Sequence, residues 1–563
     1  MNSAVWVVHP PSAEADRLAQ ALDIPPAIAR VLVNRRIATE EAAREFLFGD
    51  LQKLHDPYLM RGMDRAVARI GEAVDRGEKI LIFGDYDVDG VLSTVMLKKA
   101  LTTLGADVDY FIPERLTDGY GIKDEHVRIP VERGARLVIS VDCGIKSDGF
   151  VARAREQGID VIITDHHRPG ETLPDAVAVL DPILPDSGYP DPGLAGVGVA
   201  FKLIQALLAK AGRQAGLPHY MKLVSIGTVA DVAELKGENR LFVKQGLKGL
   251  RDVSNTGLRL LIEASGLGRR AISEGDLGFR IGPRINAAGR MGMTDLAVKL
   301  FFSEDPAEAL ALVQKLDELN SRRQKTEEKI FVEAAGRIEE RGLDRKYKCL
   351  VLGDPDWHRG VIGIVASKLK DRFHRPVILF HYENGKAHGS GRSISEVPLI
   401  DLLEKCRSHF SSYGGHRLAV GCTLPTADMA AFKAALNPLA DAAIPEDSLK
   451  KKLKIDAPLD FSAVDERFMA AYALLVPFGV GNPRPLFMAD DVEVAGDPQV
   501  LKGKHLKFLG RQNGRVLEVL GWDKAEYRHV LKRGDRVSLA FTLMTSEYLG
   551  VPKTNLSIED LKV

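Results

Sequence analysis

The sequence predicts an α/β protein: a doubly wound parallel-sheet domain, a long connector helix, a second and smaller α/β domain, and a terminal β-barrel. Three observations carry this. Short apolar runs alternate with helical stretches between residues 54 and 302; a 3.6-residue apolar spacing runs unbroken from Asp305-Pro306; and short alternating runs with turn signals fill residues 453–563.

Residues 1–53 read as an N-terminal helical extension of short Ala-, Leu- and Arg-rich helices broken at Ile24-Pro25-Pro26. In residues 54–302 the apolar runs Ile80–Phe83, Leu137–Val141, Val161–Ile163 and Val177–Leu180 have the character of parallel strands buried on both faces. Asp305-Pro306 marks a helix start with proline at the first helical position. Ala309, Leu312, Val313, Leu316 and Leu319 keep the apolar spacing, the pattern lasts to Arg341, and residues 303–345 form the connector. At 1.5 Å per residue it runs about 50 Å. Residues 346–452 hold the strands Cys349–Leu352 and Pro376–Phe380 and glycine-rich segments. Past the basic run Lys450–Lys454, the short runs Val492–Val494, Leu506–Phe508, Val516–Val519 and Val537–Ala540 alternate apolar and polar residues and suit a small antiparallel barrel.

Composition narrows the class. The chain is 45% hydrophobic and 27% charged, and its 77 basic residues balance 77 acidic ones, so disorder is excluded and net charge says nothing of partners. Cys143, Cys349, Cys406 and Cys422 share no metal-ligand spacing and suggest neither a zinc module nor a disulfide framework. No signal segment and no apolar run of about 18 residues is present, which predicts a cytoplasmic protein without membrane attachment.

The chemistry concentrates where apolar runs end. Lys79–Phe83 leads into Gly84-Asp85-Tyr86-Asp87-Val88-Asp89-Gly90, whose three aspartates repel one another unless a cation sits among them. An EF-hand is excluded, because Met96 stands where the bidentate glutamate belongs. Leu137–Val141 ends in Asp142-Cys143-Gly144, Val161–Ile163 leads to Asp165-His166-His167, and Ser225–Ala230 ends in Asp231. Carboxyl ends of strands in a doubly wound sheet meet at one crevice, so Asp87, Asp89, Asp142, His166 and Asp231 are expected within ligand distance of each other. Mixed Asp and His donors suit two manganese or magnesium ions. Gly196-x-Gly198 is no dinucleotide fingerprint, since Phe201 stands where a small residue is required.

This set resembles the DHH phosphoesterase superfamily. Ile112-Pro113-Glu114-Arg115 with Gly119-Tyr120-Gly121, Gly282-Pro283-Arg284-Ile285-Asn286-Ala287-Ala288-Gly289-Arg290, and Pro477–Pro483 are similar to its bacterial single-strand-specific DNA exonucleases, from about residue 54 to the end. The resemblance implies that Asp87 and Asp142 hold one metal and that Asp89, Asp142, His166 and Asp231 hold the other. His167 is implied beside the scissile phosphate, with Asp165 orienting it. Phe83 replaces a histidine that some superfamily members place four residues before Asp87, which makes Asp85 an extra ligand or a base.

The segments His388–Ser393 and Tyr413–Gly421 resemble the associated C-terminal domain of DHH proteins, with Ser390, Arg392, Gly414, Gly415 and His416 as a phosphate grip. Arg115, Arg280, Arg284, Asn286 and Arg290 are further phosphate or DNA candidates. Residues 453–563 resemble an OB-fold, with Lys502, Lys504, His505, Lys507 and Phe508 as strand-binding candidates. The implied activity is metal-dependent 5′-to-3′ hydrolysis of single-stranded DNA to 5′-mononucleotides by a monomer in DNA repair and recombination, with a single-strand-binding protein and a helicase as expected partners. The alternatives are a phosphoesterase of short oligonucleotides or cyclic dinucleotides, and an inactive DNA-binding replication scaffold.

Overall fold

A computed structural model describes residues 4–114, 119, 121–268, 270–548 and 551–563. The chain divides into two compact units. One holds Leu54–Ala233 and Gly237–Leu449; the other holds Met1–Lys53, Glu234–Lys236 and Lys450–Val563.

The larger unit is built on five parallel strands in the spatial order Val108–Phe111, Ile80–Gly84, Leu137–Val141, Asp160–Thr164 and Ala178–Leu180. Ile80–Gly84 and Leu137–Val141 are buried at every residue, as their predominantly apolar sequences demand. The Ser225–Ala230 run is not a strand. It is the second half of a helix, Met221–Ala230, so Asp231 follows a helix rather than a sheet edge. An apolar run of six residues does not distinguish the two states. Gly227 decides the packing here: a Cβ on it would stand 2.8 Å from Val197 Cγ1, so the helix lies tightly against its neighbour Gly196–Lys210.

The connector is a single helix, Pro306–Glu340, whose N-cap Asp305 accepts from the Ala307 N–H at 3.0 Å. Beyond it, a five-stranded mixed sheet runs Ser412–Gly415, Ala419–Pro425, Lys386–Arg392, Val377–Glu383 and Leu350–Asp354, with only the last pair parallel. The glycine-rich segments are therefore strands of this sheet rather than turns.

In the smaller unit, Phe487–Val494, Arg536–Tyr548, Val551–Lys562, Arg515–Gly521 and His505–Gln512 close into a five-stranded barrel through pairing of the first strand with the last. One pair in it, Arg515–Gly521 with Val551–Lys562, is parallel, so the barrel is mixed rather than wholly antiparallel. Residues 1–53 are more than an appended extension. Val5–Val8 pairs in parallel with Lys452–Ile455, and Ile28, Leu32 and Leu47 belong to the same hydrophobic core as Phe461, Phe487 and Phe541 of the barrel.

Candidate active site

Local chain geometry delivers each acidic side chain. The strand Ile80–Gly84 turns sharply into the helix Val88–Thr103, and a Cβ at Gly90 would stand 2.5 Å from the Asp85 carbonyl oxygen, so only glycine closes the turn. Asp87 is the N-cap of that helix, and its Oδ1 accepts from the Asp89 and Gly90 amides at 2.8 and 3.2 Å. Asp142 follows the next strand with φ +60°, a left-handed conformation that costs a non-glycine residue energy and is held by its N–H donating to the Thr164 carbonyl at 3.0 Å. Asp165 and His166 follow the strand after that.

These ends converge. Ligand atoms of Asp85, Asp87 and Asp142 lie within 4.8 Å of one another, as do those of Asp89, His166 and Asp231, and those of Asp142, His166 and His167. Asp142 and His166 each belong to two of these groups. His166 Nε2 is 3.0 Å from Asp142 Oδ1 and 3.9 Å from Asp89 Oδ2, while its Nδ1 is 4.0 Å from Asp231 Oδ2. Even so, Nε2 is buried and makes no hydrogen bond among the described residues.

Electrostatics makes this cluster unsustainable as bare anions. Burial, reinforced by Asp89 and Asp87, pushes the Asp142 carboxyl well above the usual range. Burial together with Asp89 does the same to Asp231, and burial with Asp87 raises Asp89 to about 7. Burial holds His166 down at about 4, leaving a neutral imidazole. Crowded carboxylates, a neutral imidazole and an orphaned ring nitrogen form an oxygen-rich donor set that fits divalent cations of the magnesium or manganese type.

A second histidine is tuned the other way. His167 Nδ1 lies 2.7 Å from Asp165 Oδ1; burial opposes charge on the ring, yet this hydrogen bond and the nearby carboxylates raise its pKa. Asp165 also accepts from the Ile145 N–H at 2.9 Å, and although burial works against ionisation, these contacts keep it below its ordinary value. Close by, burial pushes Asp181 up to about 7: its Oδ1 accepts from the Ile183 N–H at 3.0 Å, whereas its buried Oδ2 has no partner among the described residues.

Asp165 and His167 open onto a cavity of about 1320 Å3, whose lining includes Ser390, Arg392, Gly414 and Gly415 of the second sheet and His416 just after its strand Ser412–Gly415. Ser390 and Gly414 flank Gly421 on adjacent strands, and Arg392 Nη1 lies 3.4 Å from Ser390 Oγ. The helix Ile362–Phe373 begins at the same wall, where a Cβ on Gly363 would meet Ser390 Oγ at 2.8 Å. A hydroxyl, a guanidinium and a helix start meet there, which is a phosphate-binding arrangement.

Other candidates are placed elsewhere. Arg290 lines the cavity, with Nη1 donating to the Gly360 carbonyl at 2.9 Å, but Arg280, Arg284 and Asn286 do not line it. Arg284 Nε is 2.6 Å from Asp317, and Arg280 Nε is 3.4 Å from Asp276, so both guanidinia serve ion pairs within the fold. Arg115 and Tyr120 lie outside the described residues. On the barrel, Lys502 and Lys504 are exposed, His505 and Lys507 half-buried. Phe508 needs correction: it is 3% exposed and belongs to the barrel core, because strand alternation turns Leu506 and Phe508 inward.

Sequence reasoning misses several residues. Lys146, Arg168 and Arg359 add positive charge to the cavity wall, but lone basic residues carry no pattern. Trp522 is half-exposed on the barrel with His505 edge-on at 4.9 Å. Phe279 is 85% exposed beside Arg280. Gly196 belongs to a motif that fails as a dinucleotide fingerprint, yet its amide reaches Asp89.

Residues 79–228 match the N-terminal domain of the DHH family, residues 346–441 the DHHA1 domain and residues 455–560 the RecJ OB domain. The chain is 38% identical to the single-stranded-DNA-specific exonuclease RecJ of Bacillus subtilis over 99% of its own length and 71% of that protein. It is 36% identical to the RecJ of Salmonella typhimurium, covering 97% of this chain and 98% of the other. The crystal structure of Thermus thermophilus RecJ in complex with Mn2+ superposes with a TM-score of 0.85 at 34% identity, covering 99% of this chain and 79% of that one. The same protein's complex with Mg2+ gives 0.78.

Proposed function

The chain belongs to the RecJ family of single-stranded-DNA-specific exonucleases, and from that membership we propose that it hydrolyses single-stranded DNA from the 5′ end to 5′-mononucleotides with two divalent cations. The observation that carries this reading is the convergence of Asp89, Asp142 and Asp231 on His166, whose buried Nε2 has no hydrogen-bond partner among the described residues, with Asp87 grouped beside them through Asp142. Asp87 and Asp142, with Asp85 beside them, would hold one cation; Asp89, Asp142, His166 and Asp231 would hold the other. Two such ions, when bound, supply Lewis acidity to the attacking water and to the phosphate.

The chain's own residues do the rest. Asp165 fixes the proton of His167 on Nδ1 and favours the charged ring, which stabilises negative charge building on the phosphate. Ser390 and Arg392, backed by the helix start at Ile362, hold the terminal 5′-phosphate and so set the polarity of digestion. Gly414, Gly415 and His416 form the wall along which the first nucleotides lie. On the barrel, Trp522, His505 and the exposed Lys502 and Lys504 offer a base-stacking and phosphate-binding surface for the following strand.

Among the described residues no helix is long and apolar enough to cross a membrane, and the four cysteines are buried and unpaired. We place the protein in the reducing cytoplasm, acting in DNA repair and recombination beside a helicase and a single-strand-binding protein. The deciding experiment is digestion of an internally labelled single-stranded DNA with manganese, alongside its duplex, a 5′-blocked form and an Asp142→Ala variant. Release of mononucleotides from the free 5′ end, lost in the variant, is expected. Cleavage of dinucleotides alone, or strand binding without cleavage, would overturn the reading in favour of a small-substrate phosphoesterase or a scaffold.

A further inference from the structure

The larger unit contains a second cavity, of about 990 Å3, that shares no lining residue with the first. It lies at the far ends of two helices that carry catalytic acids. Val88–Thr103 begins at Asp87 and Asp89 and ends at the cavity wall with Thr102 and Thr103; Met221–Ala230 begins at the wall with Tyr220 and ends at Asp231. By helix rise these lengths of 16 and 10 residues span about 24 and 15 Å.

The wall is strongly cationic. Lys98, Lys99, Arg213, His219 and Lys222 line it, and Glu304 is the one acid among the described lining residues. Arg213 Nη1 donates to the Thr103 carbonyl at 2.6 Å, and Lys222 Nζ donates to the Asp252 carbonyl. Lys98 Nζ lies 4.7 Å from the Tyr110 ring and 5.4 Å from the Phe302 ring, and Lys99 Nζ lies 5.5 Å from Phe302. None of these four cations reaches a carboxylate at ion-pair distance among the described residues, although the two lysines are half-buried. Beside the cations, Tyr220 and Phe302 supply flat apolar surface, and Tyr220 caps the helix Met221–Ala230 without a side-chain hydrogen bond. The volume suits a small organic ligand better than a bare ion.

We propose that this cavity is a second binding site, for a nucleoside 5′-phosphate, in which Lys98, Lys99, Arg213 and Lys222 take the phosphate and Tyr220 and Phe302 flank the base. The assignment stands on the cavity's own chemistry and does not rest on the hydrolytic reading. A ligand there joins the distal ends of the helices that hold Asp89 and Asp231.

The test is calorimetric titration of deoxyadenosine 5′-monophosphate into the full chain carrying Asp142→Ala, in EDTA, so that the catalytic carboxylates hold no cation. The Ser390–Arg392 grip also takes a 5′-phosphate, so two sites are expected, and at the one in this cavity inorganic phosphate and deoxyadenosine are each weaker by at least about tenfold. Lys99→Glu should weaken binding in this cavity by at least about tenfold, whereas Ser390→Ala should weaken only the other site and leave this one in place. If Lys99→Glu fails to fold, the milder Lys98→Gln with Arg213→Gln takes its place. Absence of binding, loss through Ser390→Ala but not through the lysine changes, equal affinity for inorganic phosphate, or a Lys99-dependent affinity for oligothymidylate alone would each overturn the proposal.

Discussion

Gly196 donates its backbone N–H to Asp89 Oδ2 at 2.7 Å, and Val197 donates to Oδ1 at 2.6 Å, so the start of one helix clamps a carboxylate presented by the start of another. A Cβ on Gly196 would stand 2.8 Å from both Cβ and Oδ1 of Asp142. Gly196→Ala is therefore expected to displace the carboxylate shared by two ligand groups and to lower manganese affinity and kcat by about 10- to 100-fold while the fold survives. Gly198→Ala, whose Cβ would meet nothing closer than 3.4 Å, is the control and should be nearly neutral. Manganese titration and exonuclease assays on the two variants check this.

Asp165→Asn removes the charge that favours protonation of His167 while keeping a similar shape. The expected loss in kcat is about 10- to 100-fold. Because the His167 pKa is raised in the native protein, the variant should lose its imidazolium at a lower pH, and the falling limb of the pH–rate profile should shift toward acid. An unshifted limb would remove His167 from the rate equation.

Asp181 gives a stability prediction with a definite sign. Its folded pKa of about 7 exceeds the ordinary carboxyl value, so the folded state binds the proton more tightly than the unfolded chain does. This contribution to stability should be fully present below about pH 4 and be lost as pH rises through 7. Asp181→Asn, which retains an acceptor for the Ile183 N–H, should stabilise the protein by about 1–3 kcal/mol at pH 8 and by little at pH 4. Thermal unfolding at the two pH values tests it.

On the barrel, stacking and charge should separate. Trp522→Ala is expected to weaken single-strand binding by about 1–3 kcal/mol with little change in salt dependence. Lys504→Ala should weaken it less and reduce the slope of affinity against salt. Fluorescence anisotropy across a salt series distinguishes the two effects.

The convergence of these side chains is legible in the sequence because carboxylates and histidines stand at the ends of apolar runs, and parallel strands bring such ends together. Asp231 reaches the right place for a different reason: it terminates a helix, and an apolar run cannot announce which state buries it. The arginines near residue 284 show the opposite limit, since Asp276 and Asp317 claim two of them through contacts that no local pattern encodes. Phe508 misleads because its inward direction depends on register in a closed barrel. Gly363 and Gly196 are invisible because a close backbone approach leaves no trace beyond a glycine, of which the chain has 52.

The pairing of Val5–Val8 with Lys452–Ile455 bears on how the molecule is made. The strand and the helices that share the barrel core leave the ribosome ahead of the larger unit, yet their partners are translated some 400 residues later. At ordinary elongation rates of about 5–20 residues per second the nascent amino-terminal segment waits roughly 20–80 s with Ile28, Leu32 and Leu47 unburied, the time in which the larger unit, which ends at Leu449, is itself being translated. That interval is a window for chaperone capture, and it makes the order of folding the reverse of the order of synthesis for the first fifty residues.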